Sequence, residues 1–425
     1  MRELSVYIEL NGIQTLVGTI SGEQYNDARF RYVREYIEAR EAAPISVSLP
    51  FQDDYFSTEQ TRNFFESLLP EGFSRKAVAD WMKADENDYI AILAQLGREC
   101  LGAIKIVEGN DDRESGYELL SAERVKALAA EGATKSTEIL LETHLSLTGA
   151  SGKVGLYYNS DNNTWYLPKG DAPSTHIVKQ SHVRHKQIVL NEQLCIQTAK
   201  RIGIAVPESF IVSNGSQSDQ DVLYATPRYD RPLSENKIID GLKCPYRLHQ
   251  EDFAQALGIF ASDKYEKVPS GYMSRMFDLL RHNSVNPIED QIALLRIIIF
   301  NYLIGNTDCH VKNFSLLYSE DLKSKRLAPA YDLVATRVYR TTSNMSFYIG
   351  GELDILKINR NNFAISAFEI GLSQKMVLDN FDYVANKLEG AMTEAAEELA
   401  NKGFDNSISL KNEILKNGGY AFLHM

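Results

Sequence analysis

The first run of the chain alternates. Residues 4–20 place Leu4, Val6, Ile8, Leu16 and Ile20 between polar neighbours, with Asn11-Gly12 at the midpoint. A two-residue Asn-Gly loop needs positive φ at both positions, so this pattern predicts a β-hairpin with a type I′ turn. The period then lengthens. Over residues 57–69, Ser57 and Thr58 offer N-caps and Phe64, Phe65, Leu68 and Leu69 form one apolar stripe, which predicts a helix. Pro70-Glu71-Gly72 should end it, a second helix is expected over 73–84, and a third near 87–96 stops at Gly97. Residues 101–107 read as a strand. The sum is a small α+β module over residues 1–107.

Residues 110–116 are polar and charged, and read as a linker or long loop. Strand signals follow at 153–158, 165–168 and 175–179, then a helix over 189–202, then strands at 210–212 and 222–225. That β-β-β-α-β-β order suits the small lobe of a kinase and equally a generic α+β sheet. From Gln250 onward the pattern turns mostly helical. Residues 288–304 are apolar on nearly every side, as in a helix buried at the centre of a domain, and Gly305-Asn306 forms its C-cap. Another long helix is predicted over 374–401. The expected divisions are 1–107, a second unit over 108–247, and a helical unit over 248–425. No internal repeat or low-complexity tract interrupts them.

A length of 425 residues fits two or three domains, and 44% hydrophobic with 24% charged residues is the composition of a globular chain. The net charge of −12 argues against a broad nucleic-acid-binding surface. Cys100, Cys195, Cys244 and Cys309 lie far apart without a Cys-x-x-Cys pair, so neither a zinc site nor a disulfide framework is expected. The start of the chain lacks a signal-peptide pattern, and no apolar run is long enough for a membrane span. A reducing cytoplasm is the expected location.

The chemistry concentrates after the buried helix, in Asn306-Thr307-Asp308-Cys309-His310-Val311-Lys312-Asn313-Phe314. Phosphoryl transfer to a hydroxyl needs a carboxylate that orients the nucleophile and takes its proton, with an oxygen ligand for magnesium nearby. Asp308 and Asn313 are five positions apart, the spacing protein kinases use. Nineteen residues beyond Asn313 stands Asp332, flanked by Tyr331 and Leu333, and suited to be a second magnesium ligand. Considered alone, Asp308 and Asn313 could simply cap a turn while Asp332 faces solvent.

The nucleotide half should lie upstream. Ser146-Leu147-Thr148-Gly149-Ala150-Ser151-Gly152-Lys153 is a glycine-rich turn leading into a strand, where backbone N–H groups of Gly149, Ala150, Ser151 and Gly152 could approach phosphate oxygens. It is neither a Walker A motif nor Gly-x-Gly-x-x-Gly, and a plain hairpin turn is the simpler reading. Lys179 ends an apolar strand, and Glu192 in the next helix could pair with it, as strand Lys and helix Glu do in kinases. Ala225-Thr226-Pro227-Arg228-Tyr229-Asp230-Arg231-Pro232 falls where a hinge belongs, with Pro227 and Tyr229 beside the adenine and Asp230 free to take a ribose hydroxyl. An ordinary interdomain loop reads as well. The weight lies in the order: loop, Lys, Glu, hinge, Asp-x4-Asn, Asp. It predicts a two-lobed protein-kinase-like α+β fold with an added N-terminal subdomain and a mainly helical C-terminal lobe, using ATP and Mg2+.

These residues resemble the HipA family of toxin serine/threonine kinases. The resemblance covers nearly the whole chain. It is carried by Phe64-Phe65-Glu66-Ser67-Leu68-Leu69-Pro70-Glu71-Gly72, Leu96-Gly97-Arg98-Glu99-Cys100-Leu101-Gly102-Ala103, Ser174-Thr175-His176-Ile177-Val178-Lys179, Arg228-Tyr229-Asp230-Arg231 and, most specifically, the Asp308–Asn313 loop. The resemblance implies phosphorylation of a protein serine, with an aminoacyl-tRNA synthetase as the expected target. It implies a HipB-like helix-turn-helix antitoxin as partner, with DNA reached only through that partner. It also implies inactivating autophosphorylation at a serine before the glycine-rich loop, which is Ser146 here. Two departures stand out. Ala150-Ser151-Gly152-Lys153 replaces a loop that more often carries Gln and a larger residue, which makes Ser151 a second phosphorylatable hydroxyl, and Pro227 replaces a position often acidic. His310 and Lys312 would orient the loop or steady the transferred phosphate. The alternatives are a small-molecule kinase of the aminoglycoside-phosphotransferase type and an inactive kinase-fold scaffold. The N-terminal module speaks against the first, and intact Lys179, Asp308, Asn313 and Asp332 against the second.

Overall fold

A computed structural model describes residues 2–109, 114–131, 133–143, 152–181, 185–213 and 215–423. Strands Arg2–Leu10 and Ile13–Gly22 pair antiparallel, with Leu10 opposite Ile13. Asn11 and Gly12 have φ of 48° and 79°, the left-handed pair that a type I′ turn requires. Ile104–Glu108 flanks Arg2–Leu10, and Arg29–Tyr32 flanks Ile13–Gly22, which completes a four-stranded sheet. Arg29–Tyr32 was not legible in the sequence, because four alternating residues are too short a run to establish a period.

Helices Thr58–Glu66, Gly72–Met82 and Tyr89–Leu96 belong to the same module. Ser57 caps the first by a reciprocal capping box with Gln60, and Asp88 caps the third through the Ala91 N–H. Phe64 and Phe65 are fully buried, each worth roughly 1.5–3 kcal/mol of apolar burial. Phe65 lies 5.1 Å from Phe30, ring to ring, and so fixes helix on sheet.

The second sheet has six antiparallel strands. Their spatial order is Gly116–Leu119, Thr164–Lys169, Lys153–Asn159, His176–Gln180, Val222–Pro227, Phe210–Ser213. Helix Ile188–Ile202 accompanies it. Two further helices, Ala122–Glu131 and Ala133–Thr143, stand where the sequence suggested no element. The first buries only Val125, Leu128 and Ala129, a stripe too sparse to stand out. These residues and Ile139 pack on Val154, Leu156, Leu167 and Leu223.

In the C-terminal lobe, Pro287–Ile304 begins with Pro at its first turn and ends at Gly305, whose φ is 75°. Gln374–Asn401 is the long helix expected. A three-stranded sheet of Gln250–Asp252, Ser315–Tyr318 and Lys325–Leu327 takes up the chain directly after Asn313. One continuous apolar core runs from Leu4 to Ile414, so the N-terminal module and the helical lobe share an interior. Among the described residues no helix is long and apolar enough to cross a membrane. All four cysteines are buried and free.

Candidate active site

Two lysines meet across the second sheet. Lys153 and Lys179 are direct cross-strand partners, so their side chains share one face. Lys179 Nζ donates to Glu192 Oε1 at 2.6 Å, and Glu192 projects from helix Ile188–Ile202. The same ammonium donates to Asp332 Oδ1, from the opposite lobe. It also lies 5.5 Å over the Tyr224 ring. Burial works against the Lys179 charge, but the Asp332 and Glu192 carboxylates raise its pKa above the usual lysine range. Burial likewise works against the Asp332 anion, and the Lys179 and Lys153 cations hold it well below the usual carboxylate range. Burial and the nearby Lys179 lower the Lys153 pKa, with Asp332 acting the other way.

Asp332 has φ of 53°, an uncommon conformation for a residue with a side chain. Its surroundings hold it there. Asn306 Nδ2 donates to the Asp332 carbonyl at 3.1 Å, and Asn191 exchanges two hydrogen bonds with the Ala335 backbone at 2.9 and 3.1 Å. The loop of Asp332 is thus tied both to the helix that carries Glu192 and to the start of the Asp308 loop.

That loop follows the buried helix directly. The Asp308 N–H donates to Asn306 Oδ1 at 3.2 Å. Asn313 Nδ2 donates to the Asp308 carbonyl at 2.9 Å and closes the loop, which leaves the Asn313 amide oxygen as the group able to meet a cation. The Asp308 carboxylate accepts from the Tyr265 phenol. One side of Asp308 is open, but protein crowds the other, and that burial raises its pKa while the Tyr265 bond works to lower it. Tyr265 gave no signal in the sequence, since it is a lone aromatic residue within Lys264-Tyr265-Glu266-Lys267.

Several expected site residues fall elsewhere. Asp230 is 2% exposed and faces no cleft. It accepts from Arg228 at 2.8 and 2.9 Å, from Arg231 at 2.9 Å and from the Gly102 N–H at 2.9 Å, so the ribose role is corrected to a structural one. Lys312 is also turned away. Its ammonium donates to Asp252 Oδ2 at 2.8 Å and to the Ser67 carbonyl at 3.2 Å, which ties the loop to the N-terminal module and removes it from a phosphate. His310 is buried edge-on to Tyr265 at 5.2 Å, and burial, with Lys264 nearby, pushes its pKa down to about 3. A neutral imidazole there packs the loop and carries no charge toward a phosphate. Pro227 pairs with His176 at the end of its strand, and the Tyr229 phenol donates to Gln250. Gly152 is described, and a Cβ there would meet the Gln180 side chain at 1.7 Å. Ser146, Gly149, Ala150 and Ser151 lie outside the described residues.

A family profile described as HipA-like C-terminal domain matches residues 145–399, and one described as HipA N-terminal domain matches 7–107. The chain belongs to the HipA family. Among curated relatives, "Putative kinase Y4mE" of Sinorhizobium fredii is 28% identical over 403 residues, covering 92% of each chain. The "Serine/threonine-protein kinase toxin HipA" of Shewanella oneidensis is 26% identical over 402 residues, covering 91% of this chain and 88% of that one. The HipA chain solved in the Shewanella oneidensis complex of HipA, HipB and operator DNA superposes with a TM-score of 0.79 at 23% identity, covering 97% and 96%. The shared architecture is the two-lobed kinase-like fold with the HipA N-terminal module.

The residues present fit Mg2+ and ATP. Buried Lys153 and partly buried Lys179 put two cations on one sheet face, and the phosphates of a nucleotide are suitable anionic partners for them. Asp332 and Asn313 offer hard oxygen atoms of the kind magnesium prefers.

Proposed function

We propose that this HipA-family chain is a serine/threonine protein kinase that transfers the γ-phosphate of ATP to a protein serine. The observation that carries it is the bridge from Lys179 to Glu192 on one lobe and Asp332 on the other. Lys179 and Lys153 hold the phosphates. Asn313 and Asp332 would hold Mg2+, which when bound would neutralise charge on the transferring group. Asp308 orients the acceptor serine and takes its proton. The serine oxygen bonds to the γ-phosphorus as the bond to the bridging oxygen breaks, and ADP leaves with that electron pair. The glycine-rich segment read in the sequence would offer backbone N–H groups to the phosphates, and the carbonyl of Pro227 and the ring of Tyr229 would bound the adenine side.

The remaining parts of the reading rest on the family. The acceptor is an aminoacyl-tRNA synthetase or another component of translation. A HipB-like antitoxin neutralises the enzyme and carries any contact with DNA, in keeping with a chain of net charge −12. Phosphorylation of Ser146 would place nearly two negative charges beside the phosphate cradle and shut the site. The three-part division at about residues 107 and 247 is part of this proposal. Expression of the chain without a partner should arrest growth, and Asp332→Asn should relieve the arrest. Arrest by Asp332→Asn equal to that of wild type would show that the harm is not phosphoryl transfer.

A further inference from the structure

The Tyr265 phenol lies on the carboxylate that the proposed reaction uses. It donates to Oδ1 of Asp308, and among the described residues no donor reaches Oδ2. The tyrosine is not a loose surface side chain that settled there. Its two neighbours in sequence are both anchored. Lys264 Nζ donates to Glu71 Oε2 at 2.5 Å, in a pair that is largely buried. Glu266 is 3% exposed, and its carboxylate accepts from the N–H groups of Ser270 at 2.6 Å, Tyr272 at 3.1 Å and Tyr348 at 3.0 Å. His310 supports the ring of Tyr265 from the side.

One residue joins the two loops. The Ser346 carbonyl accepts from the Glu266 N–H at 2.8 Å, and the Ser346 hydroxyl donates to the Thr307 carbonyl at 2.9 Å. Ser346 is 1% exposed and sits on strand Asn344–Ile349. The chain is therefore fixed next to Tyr265 and next to Asp308 from a single point, so the separation of phenol and carboxylate is set before any ligand arrives.

The geometry points to Tyr265 as a positioning residue for Asp308: its phenol fixes Oδ1, so that Oδ2 is presented to the acceptor hydroxyl. A carboxylate free to rotate would offer either oxygen at many angles, whereas a general base has to meet its proton within hydrogen-bond reach. The bond also favours the anion, which is the form that accepts the proton.

This inference rests on the kinase reading, and one experiment separates the two. The full chain is incubated with γ-labelled ATP and Mg2+, and self-labelling is measured over a range of ATP concentrations. The proteins are wild type, Tyr265→Phe, Asp308→Ala and the double variant. Tyr265→Phe keeps the ring and its contact with His310. It should lower the maximal rate about tenfold, the order expected for one charge-assisted hydrogen bond, and leave the KM for ATP unchanged. The double variant should label no more slowly than Asp308→Ala. A Tyr265→Phe rate equal to wild type overturns the proposal. A faster rate also overturns it, and would make Tyr265 an occupant of the acceptor's seat. A wild type that does not label at all defeats the kinase reading, and this proposal with it.

Discussion

Replacing Asp230 by Asn separates a structural carboxylate from a nucleotide ligand. Asp230 belongs to a cluster of six charged groups, the cations Arg228, Arg231 and Arg247 and the anions Glu9, Glu99 and Asp230, each at most 4% exposed. Three positive and three negative charges cancel. Arg228 bonds Glu99 at 3.1 Å, Arg231 bonds Glu99 at 3.0 Å, and Arg247 bonds Glu9 at 3.2 Å and Glu99 at 2.8 Å. Glu9 and Glu99 come from the N-terminal module and the arginines from the segment beyond the second sheet. Asp230→Asn keeps the shape but leaves one guanidinium uncompensated in a buried site. Breaking one partner of a buried pair costs about 3–5 kcal/mol. Urea unfolding followed by tryptophan fluorescence reads this, since Trp165 is buried in the small-lobe core. The midpoint should fall by roughly 1 M, with the affinity for Mg·ATP unchanged at concentrations where the variant is folded.

The pH dependence adds a second check. Burial works against the Asp230 anion, but the Arg228 and Arg231 guanidiniums hold its pKa well below the usual carboxylate range. A depressed carboxylate stabilises the fold above its unfolded pKa of about 4, and that contribution is lost as pH falls from there toward the folded value. The difference between wild type and Asp230→Asn should therefore be full at pH 7 and shrink below about pH 4. An unchanged midpoint with weakened nucleotide binding would refute the reasoning and restore the ribose role.

Three further outcomes follow from the same geometry. Glu192→Gln leaves Lys179 to Asp332 alone, and the maximal transfer rate should fall about tenfold, with the melting temperature moved little. Lys312→Met strands the buried Asp252 carboxylate and should destabilise the chain by about 3 kcal/mol in thermal unfolding, while a Mg·ATP titration stays as in wild type. His310 is neutral throughout the working range, its pKa being pushed down to about 3. The pH–rate profile of His310→Phe between pH 5 and 9 should therefore keep the shape of the wild type's, and a lost limb would show that the imidazole titrates in the reaction.

The residues that carry period or fixed spacing were legible in advance. The Asn11-Gly12 hairpin, the helix ending at Gly305 and the spacings of Lys179 to Glu192 and of Asp308 to Asn313 all depend on short-range pattern. The Lys179–Glu192 pair stands at 2.6 Å between a strand and the following helix, an arrangement that local order suggests. What stayed hidden depends on long-range contact. Asp230 and Lys312 read as ligands because a charged residue near a hinge or a catalytic loop looks available, and only the folded chain shows the Gly102 N–H and the Asp252 carboxylate claiming them. Tyr265 is the converse case. Its meaning comes from a partner 43 positions away and from anchors at Glu71 and Ser346 that no local pattern announces.

Residues from both lobes form the proposed phosphoryl-transfer site. Transfer there is tested most directly by incubating the protein with γ-labelled ATP and Mg2+, followed by phosphoamino-acid analysis of the labelled protein. Wild type should yield labelled phosphoserine, and Asp308→Ala and Asp332→Asn should each yield less than about a hundredth of it. Equal labelling of wild type and Asp308→Ala would contradict the account.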